Sequence, residues 1–300
     1  MKGPFFSIVI PLYNRSELFK DRLYTILQQD FRDFEVIIVD DGSTDNPELT
    51  LKPILENNVN VFLIRQKNSE RGAARNTGIK NAKGIYIVLF DSDDFMHKDH
   101  LLKLHLGIIE NKYPDFIATK FNFQTESGKI VNSEIQNYKK GIYDYKLFLN
   151  GNPLACNICF KKDIPDLILF EEDRNYAIKE DWMFLITNLK NHNLILLDAT
   201  TISMYDHPMR SMKSDNDVII ARTIRAVEWI KNHISLSDTE VRHLYSHQNY
   251  FCGIHAYLEG DRKSSISYST KALLKGGLKL KYLTLLAKSI IGRKLILKAK

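Results

Sequence analysis

Cysteine is scarce in this chain of 300 residues, which contains only Cys156, Cys159 and Cys252. A small, odd number of cysteines in a chain of this length excludes a disulfide framework and favours a reducing compartment. The first two have the C-x-x-C spacing of zinc and redox sites, but the chain offers no second pair to complete such a site. We therefore expect a half-buried strand at residues 156–159.

Long apolar runs are also missing. No stretch approaches the roughly 18 uninterrupted apolar residues of a membrane span, so we expect no spanning helix. The apolar start, residues 5–13, is interrupted by Ser7 and Pro11 and lacks a small-x-small cleavage site, so we do not expect a signal peptide. The content of 44% hydrophobic and 26% charged residues excludes a disordered or fibrous chain and predicts a globular protein.

Acidic residues are absent from the end of the sequence. Residues 262–300 contain eleven Lys and Arg and no Asp or Glu, although the net charge of the whole chain is only +6. Residues 281–290 alternate apolar and polar positions in a pattern typical of a cationic amphipathic helix. We expect the segment 262–300 to bind an anionic membrane surface; the alternative is a helix packed on the body with a solvated lysine face. No nucleic-acid motif or aromatic platform accompanies the charge, so we expect no nucleic-acid partner.

The first 125 residues alternate between buried apolar runs and segments of helical periodicity. Short strand–helix repeats of this kind predict an α/β fold with a doubly wound, mostly parallel sheet. Ser16 is a candidate N-cap of the first helix. Strands are predicted at 6–12, 35–40, 59–65, 85–90, 115–123 and 194–205, and helices at 17–29, 47–56, 71–82, 218–233, 237–258, 263–274 and 281–290.

Acidic residues follow two of the predicted strands. Asp40 and Asp41 end the second strand, and Asp91 and Asp93 follow the fourth. Open α/β sheets bind ligands at the carboxyl ends of their strands, and two carboxylates spaced i and i+2 suit Mg²⁺ or Mn²⁺. The alternative is that these aspartates only form turns and helix caps, which Asp favours.

Several segments, taken in order and spacing, resemble one family. They are residues 7–14 (SIVIPLYN), 39–45 (VDDGSTD), 72–78 (GAARNTG), 89–94 (LFDSDD) and the later 180–182 (EDW). Together they resemble the inverting family-2 glycosyltransferases with a GT-A fold, over about residues 5–210. The resemblance implies a GT-A domain over 1–215, with a nucleotide-sugar-binding half (1–95) and an acceptor half (96–215). A helical region with a basic tail follows at 216–300.

For the donor nucleotide, the resemblance implies that Tyr13 stacks near the base and that Asp41 hydrogen-bonds it, with Asp40 in support. A tyrosine ring and a carboxylate that accepts from an imide N–H suit uracil. Pro11 belongs to the same donor-binding segment. The alternatives are a tyrosine at the edge of the core and an ordinary turn.

For the diphosphate and a divalent cation, Mn²⁺ or Mg²⁺, the resemblance implies that Asp93 is the main metal ligand. Asp91 would face the ribose or a metal-bound water, with Ser92 between the two in the donor site. Arg75 would then pair with the diphosphate or an aspartate; the alternative is an exposed helix arginine.

For the acceptor, the resemblance implies that Asp181 removes the hydroxyl proton, beside Glu180. The alternative for these two residues is a helix N-terminus, where the dipole favours acids. His207 and Arg210 lie in a stretch that loosely resembles the loop closing over the diphosphate. One base suffices because a nucleotide diphosphate is a good leaving group, unlike the leaving groups of glycoside hydrolysis.

The sequence thus predicts an inverting, metal-dependent glycosyltransferase that uses a UDP-sugar and a glycan or lipid-linked acceptor of a bacterial surface polysaccharide. We expect it in the cytoplasm, peripheral on the inner face of the membrane. A sugar-1-phosphate nucleotidyltransferase is a rival, but it needs a glycine-rich phosphate loop after the first strand, and residues 11–15 contain no glycine. A second rival is a non-enzymatic nucleotide-sugar-binding or membrane-attached scaffold.

Overall fold

The computed structural model describes residues 3–208, 210 and 215–293. The chain divides into two compact units. The first comprises the described residues up to Asp144, together with Pro153–Arg174 and Asn188–His207. The second comprises Tyr145–Asn152, Asn175–Thr187 and the described residues from Pro208 onward. None of the helices in the described ranges is long and apolar enough to cross a membrane.

The first unit contains a ten-stranded sheet, within the described residues, and four helices. The strands are β1 (Phe6–Leu12), β2 (Phe34–Asp40), β3 (Val61–Arg65), β4 (Tyr86–Leu89), β5 (Phe95–Met96), β6 (Phe116–Thr125), β7 (Ile130–Asn132), β8 (Gly141–Tyr143), β9 (Ile158–Lys161) and β10 (Leu194–Asp206). The helices are α1 (Ser16–Leu27), α2 (Pro47–Asn57), α3 (Glu70–Asn81) and α4 (His100–Glu110).

The sheet is built around a parallel core. Its order is β3-β2-β1-β4-β9-β6-β10-β5, and the first four strands pair in parallel. β6 and β10 also pair in parallel, whereas β9, β5, β7 and β8 add antiparallel partners. The predicted α/β fold with a doubly wound central sheet is confirmed.

Strand burial explains why this core forms. β2 is buried along its whole length and β1 along all but Pro11, as expected for parallel strands covered on both faces. α3 lies close on β1 at Gly78, where a Cβ would overlap the side chain of Val9. The glycine of the 72–78 segment therefore serves helix–strand packing.

The second unit is helical. It contains α5 (Glu180–Asn188, whose last residue returns to the first unit), α6 (Asn216–His233), α7 (Asp238–Glu259), α8 (Arg262–Gly276) and α9 (Leu280–Ile291). Side-chain caps fix three helix starts: Asp215 before α6, the capping box of Ser237 and Glu240 at α7, and Asp261 before α8. The predicted helical C-terminal region is confirmed.

The predicted element bounds agree with the structure to within about two residues. The predicted cap of the first helix is wrong, because Ser16 is already helical and its N–H donates to Asp45 at 2.7 Å. Residues 156–159 are buried rather than half-buried, since β9 packs between β4 and β6. The boundary at residue 215 stays a prediction. The last basic residues of the predicted tail, from Lys294 to Lys300, lie outside the described residues.

Candidate active site

The acidic residues of the first unit gather at one edge of the sheet. β1 lies between β2 and β4, and all three strands are parallel, so their carboxyl ends share this edge. Leu12 is in register with Asp40, and the N–H of Asp41 donates to the Leu12 carbonyl at 2.9 Å. This edge is where open α/β sheets bind ligands.

Asp40 is buried and organises the loop that follows β2. Its Oδ1 accepts a hydrogen bond from the Ser43 N–H at 2.8 Å, and its Oδ2 lies 3.5 Å from Arg65 Nε. Arg65 also donates to the Ser43 carbonyl at 3.1 Å. These contacts tie the 40–43 turn to the end of β3, and they fit the supporting role predicted for Asp40.

Asp41 is held in a fixed orientation at the same edge. Its Oδ1 accepts from Gln66 Nε2 and from the Ser69 N–H, both at 2.8 Å. Burial raises the pKa of this carboxyl, and the two hydrogen bonds oppose that rise. The two hydrogen bonds therefore hold the Asp41 side chain in one orientation, and its role toward a nucleotide base stays a prediction.

The loop after β1 is connected to the loop after β2. Asn14 adopts a left-handed conformation (φ 50°), its N–H donates to Ser43 Oγ at 3.0 Å and its Oδ1 accepts from the Thr44 N–H at 2.8 Å. These bonds fix the neighbouring Tyr13, whose side chain is 48% exposed. Pro11, in register with Val39, lies partly buried at the end of β1.

Arg75 is buried on α3, with only 1% of its surface exposed, which excludes the alternative of an exposed helix arginine. Its Nη2 lies 2.8 Å from Asp91 Oδ1, and its guanidinium carbon lies 5.4 Å from the centroid of the Phe170 ring. The following Ser92 is buried inside a turn closed by the Asp94 N–H and the Asp91 carbonyl at 3.3 Å. Residues 91–94 thus form a turn, and this turn places the Asp91 carboxylate beside the Arg75 guanidinium.

The Asp93 carboxylate contacts an arginine and a histidine from distant parts of the sequence. Its Oδ2 lies 2.6 Å from Arg15 Nη1 and 3.0 Å from His207 Nε2. His207 stacks on Tyr205 with ring centroids 5.2 Å apart, which orients the imidazole. The structure therefore brings together Asp93 and His207, two residues predicted for the diphosphate end of the site.

Two arginines at this site were not predicted. Besides Arg15, Arg22 donates from Nε to the Asp93 carbonyl at 3.3 Å and lies 3.7 Å from the centroid of Phe95. Arg15 is the N-cap of α1 and Arg22 lies in the middle of that helix, and both are more than 70 residues before their partner. Nothing local in the sequence indicates these pairings, although Arg15 directly follows a segment that belongs to the resemblance.

Asp181 and Glu180 occupy the first turn of α5 in the second unit, where the helix dipole favours acids. Asp181 Oδ1 accepts from the Trp182 N–H at 2.7 Å, and Trp182 Nε1 donates to the Phe148 carbonyl at 2.8 Å. The preceding Ile178 has a left-handed φ of 71°. This conformation is strained for a β-branched residue, at a cost on the order of 1–3 kcal/mol, and such strain is concentrated at functional sites.

Lys179, between Ile178 and the two acids, is a buried cation. Only 7% of its surface is exposed, and Nζ lies 4.0 Å from the centroid of the Phe251 ring. Burial lowers the pKa of Lys179 to about 8, and Asp181 is the strongest of the groups that oppose this. A positive charge therefore lies near the predicted base.

Arg210, predicted to lie near the diphosphate, is described without its neighbours in the sequence. Arg210 is a partly exposed residue of the second unit, but its neighbours at 209 and 211–214 lie outside the described residues. No group of three or more His, Cys, Asp and Glu side chains arranged to hold a metal occurs among residues 3–208, 210 and 215–293.

Comparison with known proteins assigns the chain to a family. Residues 7–164, more than half of the chain, match the family described as Glycosyl transferase family 2. An uncharacterized glycosyltransferase of Rickettsia conorii is 34% identical over 168 residues, which are 56% of this chain and 26% of that relative. Another, of Haemophilus influenzae, is 29% identical over 201 residues, covering 63% of this chain and 74% of that relative.

A similar solved structure is that of S. aureus TarS 1–349 in complex with UDP-GlcNAc. It matches with a TM-score of 0.67 and 20% identity, over 95% of this chain and 87% of that chain. At this identity the likeness shows the fold alone, which confirms the predicted GT-A type. The chain belongs to glycosyltransferase family 2, as the sequence predicted. It spans about a quarter of the length of two Rickettsia relatives, 26% of the one from R. conorii and 27% of one from R. felis, to which it is 37% identical.

Proposed function

We propose that this protein transfers a sugar from a nucleotide diphosphate-sugar, a UDP-sugar, to a hydroxyl of a glycan acceptor, with inversion at the anomeric carbon. The observation that carries the proposal is the placement of Asp41, Asp91 and Asp93 at the shared carboxyl edge of β2, β1 and β4. TarS, which has the same fold, was solved with UDP-GlcNAc, and this supports a uridine nucleotide as the donor.

Tyr13 and Asp41 recognise the base in this proposal. The half-exposed Tyr13 ring offers a stacking surface, and its position is fixed by the hydrogen bonds of Asn14. Asp41 is held by Gln66 and Ser69, so its carboxylate accepts from the imide N–H of uracil without reorganising. Asp40 maintains the 40–43 turn that carries Asp41.

Asp93 and His207 fit a divalent cation, Mn²⁺ or Mg²⁺. Asp93 Oδ2 and His207 Nε2 lie 3.0 Å apart, and a carboxylate ligand suits either of these ions. Two protein ligands suffice where substrate phosphates and water complete the coordination. Such an ion, when bound, neutralises the charge that develops on the leaving diphosphate. Asp91, held by the buried Arg75, then faces the ribose and diphosphate side of the donor.

Asp181 acts as the base. Its carboxylate takes the proton of the acceptor hydroxyl as that oxygen bonds to the anomeric carbon, and the bond from this carbon to the diphosphate breaks. Attack on the side opposite the leaving UDP inverts the configuration. Glu180 precedes Asp181 in the first helical turn, and Arg210 is a further candidate for the diphosphate.

We propose a glycan or lipid-linked glycan as the acceptor, extended at the inner face of a bacterial membrane during surface polysaccharide synthesis. The acid-free basic end of the chain, described as far as residue 293, supports an anionic membrane surface as a partner. The nucleotidyltransferase alternative is not supported, since the loop between β1 and α1 is Tyr13-Asn14-Arg15 and contains no glycine.

The test is Asp181→Asn, compared with Asp217→Asn as a matched control. Asp217 is also an acid in the first turn of a helix of the second unit, and it is exposed. We expect Asp181→Asn to bind UDP like wild type but to lose transfer by at least about a hundredfold, as for removal of a general base. Asp217→Asn should keep both activities. Transfer by Asp181→Asn at the wild-type rate would refute the assignment, and failure of the wild type to bind any nucleotide would favour the scaffold alternative.

A further inference from the structure

The end of α8, the start of α9 and the short connection between them expose three leucines to solvent. Leu274, Leu278 and Leu280 are 82%, 87% and 80% exposed, more than any other leucine in the described residues. All three lie within a seven-residue segment, 274–280, which we call the leucine turn. Clustered exposed apolar side chains mark an interaction surface, whereas single ones do not.

The leucine turn is held in place by the helices behind it. Gly277 adopts a left-handed φ of 77°, and its N–H caps α8 at the Leu273 carbonyl at 2.9 Å. Ser246 of α7 donates to the Ala272 carbonyl at 3.1 Å and lies 2.9 Å from the Tyr282 hydroxyl. The leucines therefore project from a fixed turn.

The predicted amphipathic helix corresponds to α9, and one of its faces is buried in the protein rather than exposed to a membrane. Tyr282, Leu285 and Ser289 of α9 are buried, and Ser289 Oγ lies 2.6 Å from Ser265 Oγ of α8. This face packs within the helical unit and is not available to a membrane. The exposed apolar surface is therefore the leucine turn together with Leu283, Ile290 and Ile291 on the outer side of α9, which are 42%, 51% and 51% exposed, rather than the inner face of α9.

Lysines surround the leucine turn. Lys271, Lys275, Lys279 and Lys281 are all exposed, and each Nζ lies 4.9 to 5.7 Å from the centroid of a tyrosine ring. Residues 262–293 contain no Asp or Glu at all. An exposed apolar turn within an unneutralised basic patch matches a surface with negative charge outside and apolar material beneath it.

We propose that the leucine turn docks on an anionic lipid bilayer, with its leucines in the headgroup region and the four lysines facing lipid phosphates. A second copy of this chain fits the surface less well, because a symmetric contact would bring the lysines of both copies together. The inference deepens the membrane part of the proposed function and rests on it, but it does not depend on the assignment of Asp181.

The first experiment places a fluorescent probe at the turn of the full chain. Leu278→Trp is compared with Leu49→Trp, since Leu49 is 72% exposed on α2 of the first unit. Wild type supplies the background from Trp182 and Trp229. With vesicles of phosphatidylcholine and phosphatidylglycerol in equal parts, we expect a blue shift and quenching by brominated lipid for Leu278→Trp only. Equal responses of the two variants would overturn the proposal.

The second experiment measures vesicle binding by sedimentation without donor or acceptor. Replacing all three leucines by Ser should weaken binding at least about tenfold, because their side chains no longer leave water. Each Lys→Gln change at Lys275 or Lys279 should weaken it about fivefold at low salt, the effect of losing one cation at an anionic surface. Leu49→Ser is the control and should bind like wild type.

Two other results would overturn the proposal. One is unchanged sedimentation of the triple variant, shown to be folded by circular dichroism. The other is a wild-type dimer in solution that the triple variant abolishes, which would assign the surface to a second copy. Transfer to a water-soluble acceptor, measured without vesicles, tests the proposed function separately, so failure of the docking surface leaves that result intact.

Discussion

Replacing Lys179 by Met should stabilise the protein near neutral pH. The ammonium group is buried beside the Phe251 ring, and burial lowers its pKa from 10.5 to about 8 against the attraction of the Asp181 and Glu180 carboxylates. Met has a similar length and makes favourable contacts between sulfur and an aromatic ring. The substitution therefore removes the cost of the buried charge and keeps most of the packing.

The magnitude follows from the pKa difference. Below about pH 8 both the folded and the unfolded protein hold the proton, and the folded state carries the full cost of the charge. As pH rises from about 8 to 10.5, the unfolded chain keeps the proton longer, so the stability of wild type increases. The difference between the ordinary lysine pKa of 10.5 and the pKa of about 8 in the folded protein lowers the free energy of unfolding by about 3 kcal/mol, at about 1.4 kcal/mol for each pKa unit.

The assay is urea unfolding of wild type, Lys179→Met and the control Lys52→Met between neutral pH and about pH 10. Lys52 is exposed, 3.8 Å from Glu56, and its replacement should change stability little at any pH. We expect Lys179→Met to exceed wild type in stability near pH 7 and the gap to shrink by about 2 kcal/mol toward pH 10. A gap that stays constant across this range would refute the account of Lys179 as a buried cation.

Two further predictions concern the first unit. Gly78→Ala should destabilise the protein by about 1–3 kcal/mol in thermal unfolding, because the added Cβ overlaps Val9. A second substitution, Val9→Ala, should restore part of this loss. An unchanged stability of Gly78→Ala would contradict the packing of α3 on β1. UDP binding should weaken on acidification and begin to do so at a higher pH than for an ordinary Asp, because the pKa of Asp41 is raised by burial. Calorimetry on wild type and Asp41→Asn checks this, and the same acid dependence in both would exclude Asp41 as its source.

The sequence predicted the elements of the fold because their signals are local. The buried run of β2 and the turn from Asp40 to Ser43 are visible within a few residues, and so is the helical spacing of α6–α9. The motifs also indicated which strand ends carry the acids, since parallel strands share one edge.

The pairings within the site were not predictable in the same way. Arg15 and His207 reach Asp93 across 78 and 114 residues, and periodicity carries no information on which cation meets which carboxylate. Arg75 was assigned through the resemblance, but its burial depends on the packing of α3 and Phe170. In the same way, the sequence of α9 did not indicate which of its apolar residues α7 and α8 would bury and which would stay exposed.

The central claim is that Asp93 belongs to a metal-dependent site for a uridine diphosphate. The most direct measurement is calorimetric binding of UDP, GDP, CMP and TDP, with Mn²⁺, Mg²⁺ or a chelator, to wild type and to Asp93→Ala. Asp163→Ala, an exposed acid of the same unit, is the control. We expect UDP to bind wild type and Asp163→Ala only with the metal, and Asp93→Ala not at all. Equal binding of UDP to all three proteins in the presence of a chelator would contradict the claim.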